Sequence, residues 1–354
     1  MPSFFDLPIE NKTGGLMADP MTAYLENPEK RLDQTVLHEM EAMFRKSVVR
    51  QLMQPRDLRK GKESNTLYSF PCARKARYIF DGAKRAPVPA RATLKFLLGD
   101  LVELAVLGVA RLAGLDIGLN NEDLTIQGHD GKLVPVHPDG LLNVGGKHYN
   151  LEVKSCDSRT FDRWLEQGGP SDDWGYRTQA TVEIEAWKQG SWDVTATCFV
   201  AVSTGTRQGS IAEWIIPQEP ALLDAWHERR RLRQQPELPP VPFLPVPEIE
   251  FVKGKALDAD TLSAALFHGE PQPRKDKHDR IHGWDVPTGR QLVGTVCSYC
   301  DFLSLCHSRA QMEMVSGKPV WVIPPAPSPL FSGSAKMREL PMIHEQTLES
   351  GEVA

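Results

Sequence analysis

Two carboxylates and a lysine bracket a glycine pair in the stretch HPDGLLNVGGKHYNLEVKS, His137 to Ser155. If Gly145-Gly146 is a two-residue hairpin turn, where both glycines accept positive φ, Asp139 falls opposite Glu152 and His137 opposite Lys154. Side chains alternate along strands, so Asp139, Glu152 and Lys154 share one face while Val153 points to the other. Directly opposed carboxylates repel and destabilise a hairpin unless something positive sits between them. A divalent cation held by oxygen ligands is the natural neutraliser, and Mg²⁺ is typically bound by only about one or two carboxylates plus substrate phosphates. Lys154 would add a point charge suited to holding an attacking water or stabilising a pentavalent phosphate. The constellation fits metal-assisted phosphodiester hydrolysis. The alternative is an exposed hairpin face carrying a Glu152–Lys154 or Asp139–His137 pair.

A helix must stand beside that hairpin. Residues 93–113, TLKFLLGDLVELAVLGVARLA, form a strongly apolar helix that Gly114 ends. Asp100 and Glu103 lie three apart and share a face of it. Buried carboxylates are costly unless they pair or bind metal. Glu103 is thus a third acidic ligand, with Asp100 as its support or substitute. Alternatively, either residue pairs with a base from the segment upstream. That segment, Arg45 to Lys95, holds fourteen Lys/Arg against three Asp/Glu, although the chain as a whole carries a net charge of −5. A basic block can supply phosphate contacts, with Lys60, Lys62, Arg74, Lys75 and Arg77 as candidates; a solvated helix face explains it equally well. A helix over 174–188 offers Arg177 and Gln179 to phosphate oxygens.

A second constellation is CSYCDFLSLC, which sets Cys297, Cys300 and Cys306 at C-x₂-C-x₅-C spacing. Three thiolates in one short apolar segment make a metal cradle that wants a fourth ligand. His307 would suit zinc; Cys72, in FPCARKARY, would complete a four-cysteine iron–sulfur site. Cys156 and Cys198 lie in strand-like segments and read as small buried hydrophobes.

The 354 residues suffice for a sizeable core. No apolar run reaches the 18 or so residues a membrane span needs, and the N-terminus has no secretory pattern, so a cytoplasmic protein with no membrane partner is the expectation. Residues 1–29 read as a flexible arm. Val36, Leu37, Met40, Met43, Phe44, Val48 and Leu52 mark an amphipathic helix over 32–52. Strands follow up to Lys154, at 194–204 and at 211–216, with a charged helix around 219–235. Prolines over 236–248 mark a stiff linker inside one domain spanning 30–310. Residues 270–290 read as a polar stretch, and 311–354 as a largely disordered tail.

Together these residues resemble the PD-(D/E)XK nuclease superfamily, in its RecB-like branch with an iron–sulfur staple. That branch includes CRISPR-associated RecB-like exonucleases, helicase–nuclease subunits and phage recombination exonucleases. Its Gly-x-x-x-His motif is matched by GDLVE, Gly99 to Glu103, with glutamate in the histidine's place as in lambda-type exonucleases. Its acidic motifs are matched by Asp139 in HPDG and by Glu152-x-Lys154 in LEVKS, and its split cysteines by Cys72 and Cys297, Cys300 and Cys306. One departure is that Gln179 is followed four residues on by Glu183, where the branch has tyrosine. The resemblance implies an α/β fold with a core of mixed β-sheet flanked by helices, the domain ends tied by a 4Fe–4S cluster (zinc as the alternative). It implies Mg²⁺ or Mn²⁺ held by Glu103, Asp139, Glu152 and the Val153 carbonyl, with Lys154 orienting water. The implied activity is exonucleolytic hydrolysis of DNA ends in recombination, repair or phage DNA processing. An annealing protein, a helicase or further copies of the chain are the candidate partners. A DNA-binding metalloprotein without cleavage is the alternative.

Overall fold

The computed structural model describes residues 15–325 apart from 28, 31, 53–61, 87–89, 119–123, 206–209, 255, 258–260, 262–267, 269, 294, 299 and 316–317. The chain divides into two compact units, Met1–Pro242 and Phe243–Ala354. The boundary falls within the proline-rich segment that the sequence placed inside a single domain.

The first unit is built on a five-stranded sheet. Its strands are β1 (Asp116–Gly118), β4 (Gly140–Val144), β5 (Lys147–Cys156), β6 (Val194–Ser203) and β7 (Ile211–Pro217), in the order β1-β4-β5-β6-β7. A separate hairpin joins β2 (Leu124–Gln127) and β3 (Leu133–Val136). Neighbouring strands of the main sheet run antiparallel except β5 and β6, which are parallel. Parallel neighbours need a long crossover, and helices α6 (Ser158–Gln167) and α7 (Tyr176–Gln189) supply it.

The glycine pair does what its position demands. Gly145 and Gly146 turn β4 into β5 at φ of 59° and 78°, a conformation costly to a residue with a Cβ. The resulting register pairs Val144 with Lys147 and Gly140 with Leu151, which carries Asp139 opposite Glu152 as the sequence suggests. Alternation then sorts the sheet's faces. Leu142, Leu151 and Val153 join Val106, Leu107 and Ala110 of α5 (Ala90–Leu112) in one core. On the other face, Leu141 packs with Ile184 and Trp187 of α7, and Asn150 bonds to Trp187.

The flexible arm expected over 1–29 is instead helical over Ala18–Glu26 (α1), with Met17, Ala18 and Met21 in the core beneath the sheet. Residues 1–14 lie outside the described residues. The reason is a distant carboxylate: buried Glu213 on β7 accepts the backbone N–H groups of Leu16 at 2.8 Å, Met17 at 3.0 Å and Ala18 at 3.1 Å. These are amides that a helix start leaves without partners. Glu213→Ala is expected to cost about 2–4 kcal/mol, because buried donors lose their acceptor. A lowered unfolding temperature and faster hydrogen exchange at residues 16–18 check it.

Around this core lie α2 (Gln34–Leu52), α3 (Asn65–Ser69), α4 (Ala73–Asp81) and α8 (Pro220–Gln234). Arg230 and Arg233 of α8 are buried and ion-paired to Glu63, Arg230 also to Asp130.

The second unit holds β8 (Val246–Lys253), β9 (Gln272–Lys275), β10 (Ile281–Leu292), β11 (Gln311–Val315) and β12 (Lys318–Ile323). The order is β11-β12-β10-β8, with β9 also on β10. The polar stretch 270–290 thus contains two strands, and the region read as a tail from 311 opens with two more. Short helices α9 (Thr295–Ser298) and α10 (Leu303–Cys306) lie between β10 and β11. Among the described residues, no helix is long and apolar enough to cross a membrane.

Candidate active site

The end of the β4–β5 hairpin gathers the acidic residues. Asp139, one residue before β4, accepts the Val153 N–H at 2.7 Å through Oδ2, so its carboxylate is fixed against β5. Glu152 is fully buried, and its Oε1 is ion-paired with Lys154 Nζ. Lys154 Nζ also lies 3.4 Å from the Val153 carbonyl. Glu152 Oε2 has no amide, hydroxyl or ammonium donor among the described residues. The side chain that approaches this carboxyl from α7 is another carboxyl, Glu183.

The electrostatics of the cluster follow from crowding like charges out of water. Burial, then the neighbouring Asp139 charge, push Glu103 up to about 8 against the pull of Lys154, with Glu152 and Asp100 adding to the rise. Burial likewise lifts Glu152 to about 7, with Lys154 opposing and Asp139 reinforcing the shift. Burial works against a charged Lys154, but Glu152 and Asp139 outweigh it and hold the ammonium above its ordinary value. Glu103 and Glu183 therefore each lie within electrostatic reach of Asp139 and Glu152, with Lys154 as the cation among them. Groups whose environments displace them this far are where acid–base and metal chemistry concentrate.

Sequence reasoning missed a set of residues behind Glu152. Glu183 is fully buried. Its Oε1 accepts from Gln179 Nε2 at 2.9 Å and from Asn65 Nδ2 at 3.4 Å, and its Oε2 from Asn150 Nδ2 at 3.0 Å. Asn150 is itself held by Trp187 Nε1 at 2.9 Å and by Thr197 Oγ1 at 3.0 Å. The available signal was alternation: Asn150 sits two residues before Glu152, on the same face of the same strand.

Five of the seven residues assigned to phosphate contacts have partners within the chain. Gln179 turns inward to Glu183, and Arg177 pairs with Glu219 at 2.7 Å. Arg74 donates to the Pro239 carbonyl, and Arg77 to Asp81 and to the carbonyls of Arg233 and Gln235. Lys75 Nζ lies 3.7 Å from the centre of the Phe70 ring. Lys62 is exposed, and Lys60 lies outside the described residues.

Cys72 belongs to the first unit, where it caps α4 by accepting the Lys75 N–H at 3.4 Å. Cys297, Cys300 and Cys306 belong to the second. A turn closed by Cys300 N–H on the Cys297 carbonyl at 2.9 Å carries the first two, and Cys306 follows the buried Phe302. All four are half-buried, as is Cys156, whose thiol burial pushes up to about 12. Cys198 is fully buried, as expected of a small hydrophobe. Among the described residues, no group of three or more His, Cys, Asp or Glu side chains is arranged to hold a metal ion.

No family model matches the chain, and no curated protein matches it. Among solved structures, one titled "Crystal structure of SSO0001" aligns over 56% of this chain and 88% of that one, at 15% identity and a TM-score of 0.35. That likeness is too slight to argue from.

Proposed function

We propose that the chain is a divalent-metal-dependent nuclease that hydrolyses phosphodiester bonds at DNA ends. The observation that carries the reading is the buried acid cluster on β5 and its neighbours, with Glu152 fully buried and Lys154 paired to it. A sheet with α5 on one face and α7 on the other, β5 carrying the acids, supports it as well.

The donor set fits a hard cation, since Glu103, Asp139, Glu152 and the Val153 carbonyl offer oxygen alone. When bound, Mg²⁺ or Mn²⁺ would polarise a phosphoryl oxygen and lower the pKa of a bound water. The chain's own contribution is orientation. The β4–β5 register sets Asp139 against Glu152, and the Val153 N–H holds Asp139 in place. Lys154, kept protonated by its acidic neighbours, is a fixed positive charge for an attacking water or for charge building on phosphate.

The sulfur-rich segment fits a thiolate-bound metal, and we extend the proposal to a 4Fe–4S cluster held by Cys72, Cys297, Cys300 and Cys306, with zinc as the other candidate. Protein purified without oxygen should be brown, with broad absorption near the violet end of the visible range and iron and sulfide in equal amounts. Cys300→Ala should lose both; a colourless wild type containing zinc would assign that metal instead.

The second reading is a DNA-binding metalloprotein that does not cut. End-labelled linear DNA incubated with Mg²⁺ or Mn²⁺ separates the two. Release of label establishes the nuclease, and the labelled end gives its polarity. Binding without release supports the second reading.

A further inference from the structure

Glu183 has no task in the chemistry proposed above, yet it is among the most constrained side chains of the first unit. A carboxyl buried this completely is costly unless its lone pairs are met. Here Asn65, Gln179 and Asn150 donate to its two oxygens. Both its oxygens are engaged by amides, which ties Glu183 to the surrounding side chains. The amides are fixed in turn: Asn150 by Trp187 and Thr197, and Asn65 by Ser69, whose Oγ donates to Asn65 Oδ1 at 2.7 Å. Trp187 is fully buried, so the frame rests on packed core on every side.

The frame is aimed at one residue. Asn150 and Glu152 are neighbours on the same face of β5, and Glu183 is the side chain that meets Glu152 from α7. A flexible Glu152 would have several rotamers open to it. Lys154 on its own strand and the amide-bound Glu183 from α7 flank Glu152 and narrow that choice. We infer that Glu183, held by Gln179 and Asn150, is a positioning residue that fixes Glu152 in its metal-binding orientation. The inference rests on the nuclease reading. It gives Gln179 an inward role in place of the DNA contact expected of it. Partners behind metal ligands typically change affinity about 10–100-fold when removed.

Three proteins test it: the wild type, Glu183→Gln, and the exchange variant Gln179→Glu/Glu183→Gln. Glu183→Gln removes the charge and replaces one acceptor oxygen by an NH₂ donor, so the three amides facing residue 183 keep their bonds only if one of them turns over or gives way. The exchange variant reverses the Gln179–Glu183 bond and leaves residue 183 an oxygen for Asn150. Mn²⁺ binding is read by calorimetry without DNA, DNA affinity in Ca²⁺, and folding by thermal unfolding. Glu183→Gln is expected to weaken Mn²⁺ binding by about tenfold or more, with DNA affinity unchanged, and the exchange variant to recover most of that loss. Wild-type Mn²⁺ affinity in Glu183→Gln overturns the inference. So does a loss of Mn²⁺ binding that the exchange variant fails to recover although it unfolds at the wild-type temperature. If the wild type neither binds Mn²⁺ nor cuts DNA, the nuclease reading itself falls and takes the inference with it. If the wild type does both and Glu183→Gln is indifferent, the inference alone falls.

Discussion

Glu152→Ala is expected to reduce cleavage of linear DNA by about 10³-fold or more, the scale on which a group that stabilises transition-state charge is lost, and to leave DNA affinity nearly unchanged. The first half follows from where Glu152 sits. It is fully buried, ion-paired to Lys154, and flanked by Asp139 and Glu183. No neighbour can swing in to replace it, since Asp139 is tied to the Val153 N–H and Glu183 to three amides. The second half follows from its burial, because a side chain without exposed surface offers DNA nothing to touch. The substitution removes a repelling charge from Asp139 and Glu103 but also takes a counter-charge from Lys154, which keeps Asp139, so thermal unfolding of the variant accompanies the assay. A gel of end-labelled duplex with both proteins, beside a titration of DNA binding in Ca²⁺, checks both halves. Equal cleavage by wild type and variant would sink the assignment of Glu152. Lys154→Met is expected to be the harsher change for stability, since it leaves buried Glu152 facing two carboxyls without a counter-charge. Breaking a buried pair by deleting one partner typically costs about 3–5 kcal/mol.

What the sequence revealed of this site was what strand periodicity and turn chemistry can carry. Two glycines, a two-residue turn and strict alternation place Asp139 opposite Glu152, and β4 and β5 pair in that register. Helix α5 was legible from its apolar run, although its start at Ala90 lies three residues before the expected one. The rest depended on partners far away in the chain. Nothing local distinguishes Glu183 from a solvated acid on a polar helix face; its burial comes from Asn65 and Asn150, 118 and 33 residues distant. Likewise α1 is drawn into the core by Glu213, 197 residues from Leu16. The arginines of the basic block also take distant partners. A guanidinium satisfies a phosphate and a buried carbonyl equally well, and Arg77 finds the carbonyl of Gln235, 158 residues on. The polar composition of 270–290 hid β9, exposed throughout, and β10, which carries few of the apolar residues that signal a sheet.

Stability should depend on pH in a direction opposite to that of an ordinary acidic surface, and a divalent cation should reverse it. Glu103 and Glu152 are raised in the folded protein, to about 8 and about 7, from an ordinary 4.5. Burial is the leading cause for both. A carboxyl whose folded pKa lies above its unfolded one binds more protons when folded, so its contribution is fully present below about 4.5 and is lost as pH rises through 7 to 8. Lys154 does not offset this, because it is protonated throughout that window in either state. Asp130 runs the other way: its bond to Arg230 holds it below its ordinary 3.8, so its contribution stays intact above that value and fails on acidification. In a metal-chelating buffer the unfolding temperature should therefore fall between pH 5.5 and pH 8.5. Adding Mn²⁺ should raise it, and by more at pH 8.5, where the ionised carboxylates that bind the cation are already formed and their repulsion is greatest. The double variant Glu103→Gln/Glu152→Gln should lose most of that slope, the remainder coming from Glu183, which burial also raises, and should be indifferent to Mn²⁺. A wild type that is equally stable at both pH values, or a double variant that keeps the slope, would show that the cluster does not store the repulsion assigned to it.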